Sequence, residues 1–454
     1  MIVARKILGD LGRLRGRVRV ALLVIYLVIP WLTWNGRPFV LLDIAHRKFY
    51  FPGAVFWPQE FYYLLLVVMS LGLSLFLFTS LFGRMWCGWA CPQTVYTELF
   101  DTVARIVSPR FGKASQKNWE KIVVVTAWVL LSAFLTFHFI SYFVGARTML
   151  SELASAGPQL LSESVWPYFW IAITGLFYFD LGIFRHNFCV YLCPYARFQS
   201  VMLDRDSLVI AYDSHRGDPK RTRKIKPGDP AEKEFGDCTG CLKCVQVCPT
   251  GIDIRNGLQV ACINCAHCVD ACREEMASYE KETLVGYSSL RFFEERKEHR
   301  FVRPRTLIYG TALTAVVAVF GILLGNRLPL NLSVIRDRTV LPFVLNNQAQ
   351  NVYEVDVANM REVSDALELE AELLEGQELV AGSIEARLGE NPISVQANEL
   401  RPVRVIVQAP VAENVVGRHN LRIRFKLRSE SDPDLYVERE SLFTIDAPEA
   451  TPQS

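Results

Sequence analysis

The sequence predicts a multi-domain membrane protein: an α-helical transmembrane bundle, a small cysteine-rich domain beside it, and a C-terminal β-sandwich. Three observations predict this. Apolar blocks of membrane-spanning length recur up to Phe184 and once more from Leu307. Eight cysteines are packed between Cys238 and Cys272. From about Asn331 apolar and polar residues alternate with period two between turn residues, as half-buried strands do.

The 454 residues leave room for two or three domains. Hydrophobic residues make up 51% and mean hydropathy is +0.18, the excess lying in blocks. A net charge of +2 gives no reason to expect a nucleic-acid partner. All 12 cysteines fall between Cys87 and Cys272. That clustering suits reduced metal ligands rather than a secreted disulfide scaffold.

Arg5, Lys6, Arg13, Arg15, Arg17 and Arg19 precede an apolar run from Val20 to Trp34. A cleaved signal peptide is the competing reading. No small-residue cleavage site follows, however, and Trp31, Trp34 and Arg37 suit interfacial anchors. Four further blocks, Phe61–Phe82, Ile122–Val144, Val165–Phe184 and Leu307–Leu324, approach the roughly 20 residues that a hydrocarbon core requires. Five crossings from an inside N-terminus end outside. The connection after the second block carries Arg84, Arg105, Arg110, Lys113, Lys117 and Lys121, whereas Gly145–Ser164 has only Arg147. The positive-inside pattern therefore puts residues 185–305 in the cytoplasm. Two ionisable residues lie within blocks: His138, a candidate ligand or a solvated side chain, and Asp180, expected to pair with Arg185 or Arg84.

The cysteine run reads Cys238-x-x-Cys241-x-x-Cys244-x-x-x-Cys248-Pro249, then Cys262-x-x-Cys265-x-x-Cys268-x-x-x-Cys272. This is the bacterial ferredoxin pattern written twice, in which the fourth cysteine ligates the other cluster. One [4Fe–4S] centre is expected on Cys238, Cys241, Cys244 and Cys272, the second on Cys262, Cys265, Cys268 and Cys248. Paired structural zinc sites are the alternative, but zinc gains nothing from interleaved spacing. Arg273 stands where the pattern usually has proline. All eight ligands remain, and the chemistry they point to is electron transfer.

A weak repeat precedes the run. The second block ends in Cys87-Gly88-Trp89-Ala90-Cys91-Pro92, the fourth in Cys189-Val190-Tyr191-Leu192-Cys193-Pro194. On a continuous helix residues four apart share a face, and the proline tends to end or kink it. Both thiol pairs are placed at the cytoplasmic membrane face. Soft thiolates select Cu(I), zinc or iron–sulfur, and dithiols can cycle through a disulfide. Buried, inert cysteine is the bland reading, which the recurrence of the motif disfavours. His186, three residues before Cys189, is a further candidate metal ligand.

Residues 203–235 read as a surface linker, with a solvated or headgroup-facing basic cluster of Lys220, Arg221, Arg223, Lys224 and Lys226. In the last third, Val352–Val357, Val403–Val407, Leu421–Leu427 and Leu442–Ile445 read as strands, and Ala447–Ser454 as a disordered tail. The organisation expected is a four-helix transmembrane domain over 1–200, a cytoplasmic linker and two-cluster domain over 201–304, a fifth span over 305–326, and a periplasmic β domain over 327–454.

The order Cys87–Cys91, Cys189–Cys193 and then the double run with Cys248-Pro249-Thr250-Gly251-Ile252-Asp253-Ile254-Arg255 resembles the FixG/RdxA/CcoG family. So do Leu203–Leu208 and Asp213–Gly217. These are bacterial inner-membrane accessory proteins for assembly of cbb3-type cytochrome c oxidase. The resemblance implies an immunoglobulin-like C-terminal domain, two [4Fe–4S] clusters and a cupric reductase. Cytoplasmic electrons would reduce Cu(II) to Cu(I) at Cys87, Cys91, Cys189 and Cys193. The partners implied are oxidase-assembly and copper-handling proteins, with a cytoplasmic electron donor left unnamed. Two readings compete: a quinol-linked subunit of the NapH or NosR type, which shares the thiol pairs, and a redox-sensing assembly scaffold without turnover.

Overall fold

A computed structural model describes the chain except residues 1–3, 6, 8, 46, 53, 58–59, 114, 156–158, 222–234, 341–342, 346, 362, 375–378, 381, 413–414 and 448–454. The expected basic residues Lys6, Arg223, Lys224 and Lys226, and the tail beyond Ala447, lie outside the described residues. Two compact units result, Met1–Gly321 and Ile322–Ser454.

In the first unit four helices are long and apolar enough to cross a membrane: Phe61–Phe82, Asn118–Val144, Trp166–Phe184 and Pro304–Gly325. Helix α1 (Asp10–Val28) is not among them. It begins ten residues before the expected span and is basic over its first half, which keeps its hydropathy below that of the other four. Its C-terminal half nevertheless lies along a spanning helix. Naming α2 (Phe61–Phe82), α3 (Met85–Trp89), α4 (Pro92–Val107) and α5 (Asn118–Val144), the Tyr26 hydroxyl of α1 donates to the Leu135 carbonyl of α5 at 2.7 Å, and Tyr142 donates back to the Tyr26 carbonyl. Trp31 then packs on His138. His138 is satisfied locally, with Nδ1 2.9 Å from the Phe134 carbonyl among aromatic rings, and is a core histidine rather than a ligand.

Helix Pro304–Gly325 runs along α2, with Tyr309 against Phe76 and Phe320 against Tyr63. Helix Trp166–Phe177 continues as a π-helical stretch over Tyr178–Phe184, followed by a second over Phe188–Leu192. Such wide turns are rare and concentrate near functional sites.

The stretch expected to be a linker is partly core. Leu208–Tyr212 forms a buried strand paired antiparallel with Val285–Ser289. It carries no polar alternation because both of its faces are covered. Ile210 and Tyr212 pack directly among Cys238, Cys244 and Cys262.

The second unit is a sandwich of two antiparallel sheets. One orders Glu385–Arg387, Glu399–Pro410, Gln348–Asn359 and Leu330–Arg336, with Phe343–Leu345 beside the third of these. The other orders Ile393–Val395, Asp365–Leu373, Gly417–Ser429 and Tyr436–Ala447. Each strand expected from the alternation lies inside one of these. The inward residues interdigitate, with Tyr353 and Phe425 edge to face at 5.0 Å. Phe425 is fully buried, so Phe425→Ala should cost about 3–5 kcal/mol of this unit's stability. Calorimetry would show that loss with iron content unchanged.

Candidate redox site

The eight cysteines of the double run line two adjacent cavities. Cys238, Cys241, Cys244 and Cys272 share one, with Tyr212, Leu284 and Val285 in its wall and about 370 Å³ of empty space. Cys248, Cys262, Cys265 and Cys268 share the other, which encloses about 340 Å³. Cys244 also touches the second cavity, so the two sites are adjacent. All 12 cysteines are free thiols.

These cavities fit a cluster better than a lone ion. One zinc would draw four sulfurs to within roughly 3.8 Å of each other. Among the described residues no group of three or more His, Cys, Asp or Glu side chains is gathered closely enough to hold a single metal ion. Ligands carried on separate irons of a cubane need no such crowding. Burial pushes the Cys244 and Cys262 thiols up to about 12, which favours deprotonation only where iron replaces the proton.

Arg273 now has a structural reason. Helix His267–Ala277 runs through Cys272 without a break, so proline after it would remove an internal hydrogen bond. Cys248, by contrast, follows the short helix Lys243–Gln246 and leads into a turn.

The thiol pairs depart from the single-helix expectation. Cys87 lies in α3, while Cys91 is the extended residue before α4, with Pro92 at the first helical position. Cys193 precedes Pro194 and helix Pro194–Met202 in the same way. The prolines open new helices rather than end old ones, because the missing amide costs nothing in a first turn. The amides of Gln93 and Thr94 then point at the Cys91 sulfur. Burial outweighs their help and raises its pKa.

The fold brings all four thiols into one neighbourhood, although among the described residues no three of them are gathered closely enough to hold a single metal ion as they stand. Cys87 feels the charges of Cys91 and Cys193, and Cys189 those of Cys91, Cys87 and Cys193. Burial pushes both Cys87 and Cys189 up to about 12. His186 is not part of this set: its charged neighbours are Asp101, Arg185, Arg15 and His267, and burial holds its pKa down at about 4. Asp180 accepts from Gln93 at 3.1 Å, whereas Arg185 turns to Asp101 and Arg84 to backbone carbonyls. The expected Asp180 ion pair is therefore absent.

The thiol site abuts the second cavity. Cys87, Ile263, Cys265 and Tyr195 form one packed cluster. Gly88 makes the approach possible: a Cβ there would sit 2.5 Å from the Ile263 carbonyl oxygen and 2.8 Å from the Cys265 nitrogen. Arg84, 4% exposed, donates to the carbonyls of Cys262 (3.2 Å), Val260 and Ala196. It thereby ties both thiol segments to the cysteine loop. From the other side Arg15 donates to the Cys265 carbonyl at 3.1 Å and to His267 Nε2 at 2.8 Å. Asp270 accepts from the Gly12 amide at 2.7 Å, capping α1. Gln199 accepts from the Cys87 sulfur at 3.2 Å, and Tyr195 shares a hydrogen bond with Thr79. The sequence marks Arg84 and Arg15 only as basic residues beside the membrane blocks, and gives no sign of the roles of Asp270, Gln199 and Tyr195; Gly88 is visible only as part of the first motif.

Residues 184–290 match the family model of a 4Fe-4S dicluster domain, residues 64–113 that of a 4Fe-4S binding domain, and residues 320–446 that of the IG-like fold at the C-terminal of FixG. Protein RdxA of Cereibacter sphaeroides is 32% identical over 95% of this chain and 94% of its own. The chain belongs to the FixG/RdxA family. Nitrogen fixation protein FixG of Rhizobium meliloti is 31% identical over 94% of the chain and 90% of its own. Ferredoxin-type protein NapH of Escherichia coli is 21% identical over 45% of the chain and 65% of its own. This FixG/RdxA family member is a membrane-associated iron–sulfur electron-transfer protein whose C-terminal unit is immunoglobulin-like.

Proposed function

We propose that this chain carries electrons across the packed boundary between Cys265 and Cys87 and delivers them to Cu(II), for assembly of a cbb3-type cytochrome c oxidase. The contact of Cys87 with Ile263 and Cys265 is the observation that supports it. Iron–sulfur clusters, when bound, supply one-electron transfer. Cys238, Cys241, Cys244 and Cys272 are the proposed ligands of one, and Cys248, Cys262, Cys265 and Cys268 of the other. Arg84 and Arg15 hold the second set beside the bilayer-side thiols and keep water out. Cys87, Cys91, Cys189 and Cys193 favour the reduced product, because Cu(I) prefers thiolate while Cu(II) prefers nitrogen and oxygen.

The orientation proposed has the N-terminus and cluster domain in the cytoplasm, α1 as a fifth crossing, and the β domain in the periplasm. Charge asymmetry of the loops and the run of α1 beside α5 support it. The organisation into 1–200, 201–304, 305–326 and 327–454 is proposed with it.

For the copper step, Cys87→Ser and Cys193→Ser should each abolish reoxidation of the reduced protein by Cu(II), with about eight irons per chain retained. Anaerobic stopped-flow absorbance and metal analysis measure both. Unchanged reoxidation in either variant would rule the copper reading out. Ligand pairing is tested by the double variant Cys248→Ser/Cys262→Ser. Interleaved ligation removes both from one centre and leaves about four irons; ligation in sequence order damages both centres and leaves fewer.

The match of residues 64–113 to a 4Fe-4S binding domain favours a second reading. In it the four bilayer-side thiols hold an iron–sulfur group of their own. Iron near twelve per chain in anaerobic material would select it.

A further inference from the structure

Beside the second cysteine set, with Val247, Pro249 and His267 in its wall, lies an open cavity of about 1050 Å³. Its wall has an unusual charge balance. Arg5, Arg13, Arg15, Arg19 and Arg105 line it, against two carboxylates, Glu98 and Asp101. Those carboxylates are already matched: Arg15 and Arg19 both bind Glu98, and Arg185 binds Asp101. Among the described residues the wall holds no third carboxylate to face Arg5 and Arg105. Arg105 is instead fixed by donating to the Ala4 carbonyl at 2.8 Å.

Two histidines complete the wall, His186 and His267. His267 Nε2 accepts from Arg15, which leaves that ring neutral. His186 Nδ1 is itself buried away from solvent, so that nitrogen is not offered to a ligand in the cavity. A guanidinium-rich wall with two arginines unmatched by carboxylates suits an acceptor-only, multiply charged oxyanion, for which arginine is the preferred recognition group.

Arg19 is the last basic residue of α1 before its apolar half begins at Val20. With α1 as the proposed fifth crossing, the arginines stand at the level where a bilayer's phosphates would lie. Basic pockets at that level bind lipid head groups in other proteins.

We infer that this cavity is a binding site for a phosphate group, carried by an anionic phospholipid or free in solution, held by Arg5 and Arg105. The site is separate from the copper reading and does not depend on it. A phosphate seated there adjoins Pro249 and His267, next to the second cysteine set. The added negative charge disfavours an extra electron on a cluster at that place, so occupancy sets how readily the inner centre is reduced.

The test uses the full chain, purified anaerobically with its clusters in neutral detergent. Native mass spectrometry reads retained phospholipid after exchange into nanodiscs of phosphatidylglycerol or of phosphatidylcholine. Thermal-shift titration with inorganic phosphate reads the free anion. Wild type is expected to retain phosphatidylglycerol or to bind phosphate, and which of the two identifies the source. Arg5→Ala/Arg105→Ala should weaken that binding roughly twenty- to thirtyfold, at about fivefold for each arginine. Arg5 is exposed, so Arg5→Ala alone keeps the fold and should lose roughly fivefold. Arg17→Ala, an exposed arginine of α1 outside the cavity, controls for diffuse charge. The site is refuted if wild type binds neither probe, or if Arg5→Ala weakens binding no more than Arg17→Ala does.

Discussion

Gly88→Ala is expected to slow electron delivery to the bilayer-side thiols while leaving iron content intact. The added methyl has nowhere to go. It would lie 2.5 Å from the Ile263 carbonyl oxygen, 2.8 Å from the Cys265 nitrogen and 2.9 Å from the Asn264 carbonyl carbon. All three are backbone atoms of the second cysteine loop, and that loop is held from behind by Arg15 and Asn264. The cheaper response is for α3 to move away, carrying Cys87 with it. Moving α3 away lengthens the path an electron must cross from the cysteine loop to Cys87, and the rate falls with it. The measurement is the rate at which Cu(II) reoxidises the reduced protein, with iron and visible absorbance as controls. A rate equal to wild type would mean that the contact is packing and nothing more.

Arg84→Ala should be the most destabilising single change at this junction. One guanidinium serves carbonyls from two segments, Val260 and Cys262 in the cysteine loop and Ala196 just past Cys193-Pro194. Removing it leaves three buried acceptors without a donor, at about 1–2 kcal/mol each, so about 3–6 kcal/mol in all. Arg84→Lys should recover little, because a single ammonium cannot reproduce a planar fork reaching carbonyls that face different ways. Thermal denaturation followed by cluster absorbance reads the effect directly. A midpoint for Arg84→Ala within a degree or two of wild type would exclude the fastening role.

Much of this architecture could be read from the chain alone, for identifiable reasons. Cluster ligation imposes spacing on neighbours in sequence, so Cys238–Cys272 announces itself. The sandwich strands alternate because one face of each is wet. Leu208–Tyr212 was read as linker because it is covered on both sides and sits among charges and turns. The prolines at Pro92 and Pro194 were visible but ambiguous: the residue that stops one helix is also the residue that starts another. The start of α1 is settled by Asp270, more than 250 residues away. Arg84 reads as one more positive charge at the membrane face, because its partners come from two segments more than 100 residues away. Local rules recover elements and motifs; the meeting of thiol site and cysteine loop is long-range, and no local rule reaches it.

Helix His267–Ala277 carries Cys268 toward one cavity and Cys272 toward the other, and its Asp270 grips the beginning of α1. Three parts of the molecule thus hang on a single short rod. Loss of either centre is therefore expected to loosen the anchorage of the N-terminus, while the other centre keeps its own four ligands. The seating of α1 reports on the state of both cysteine sites.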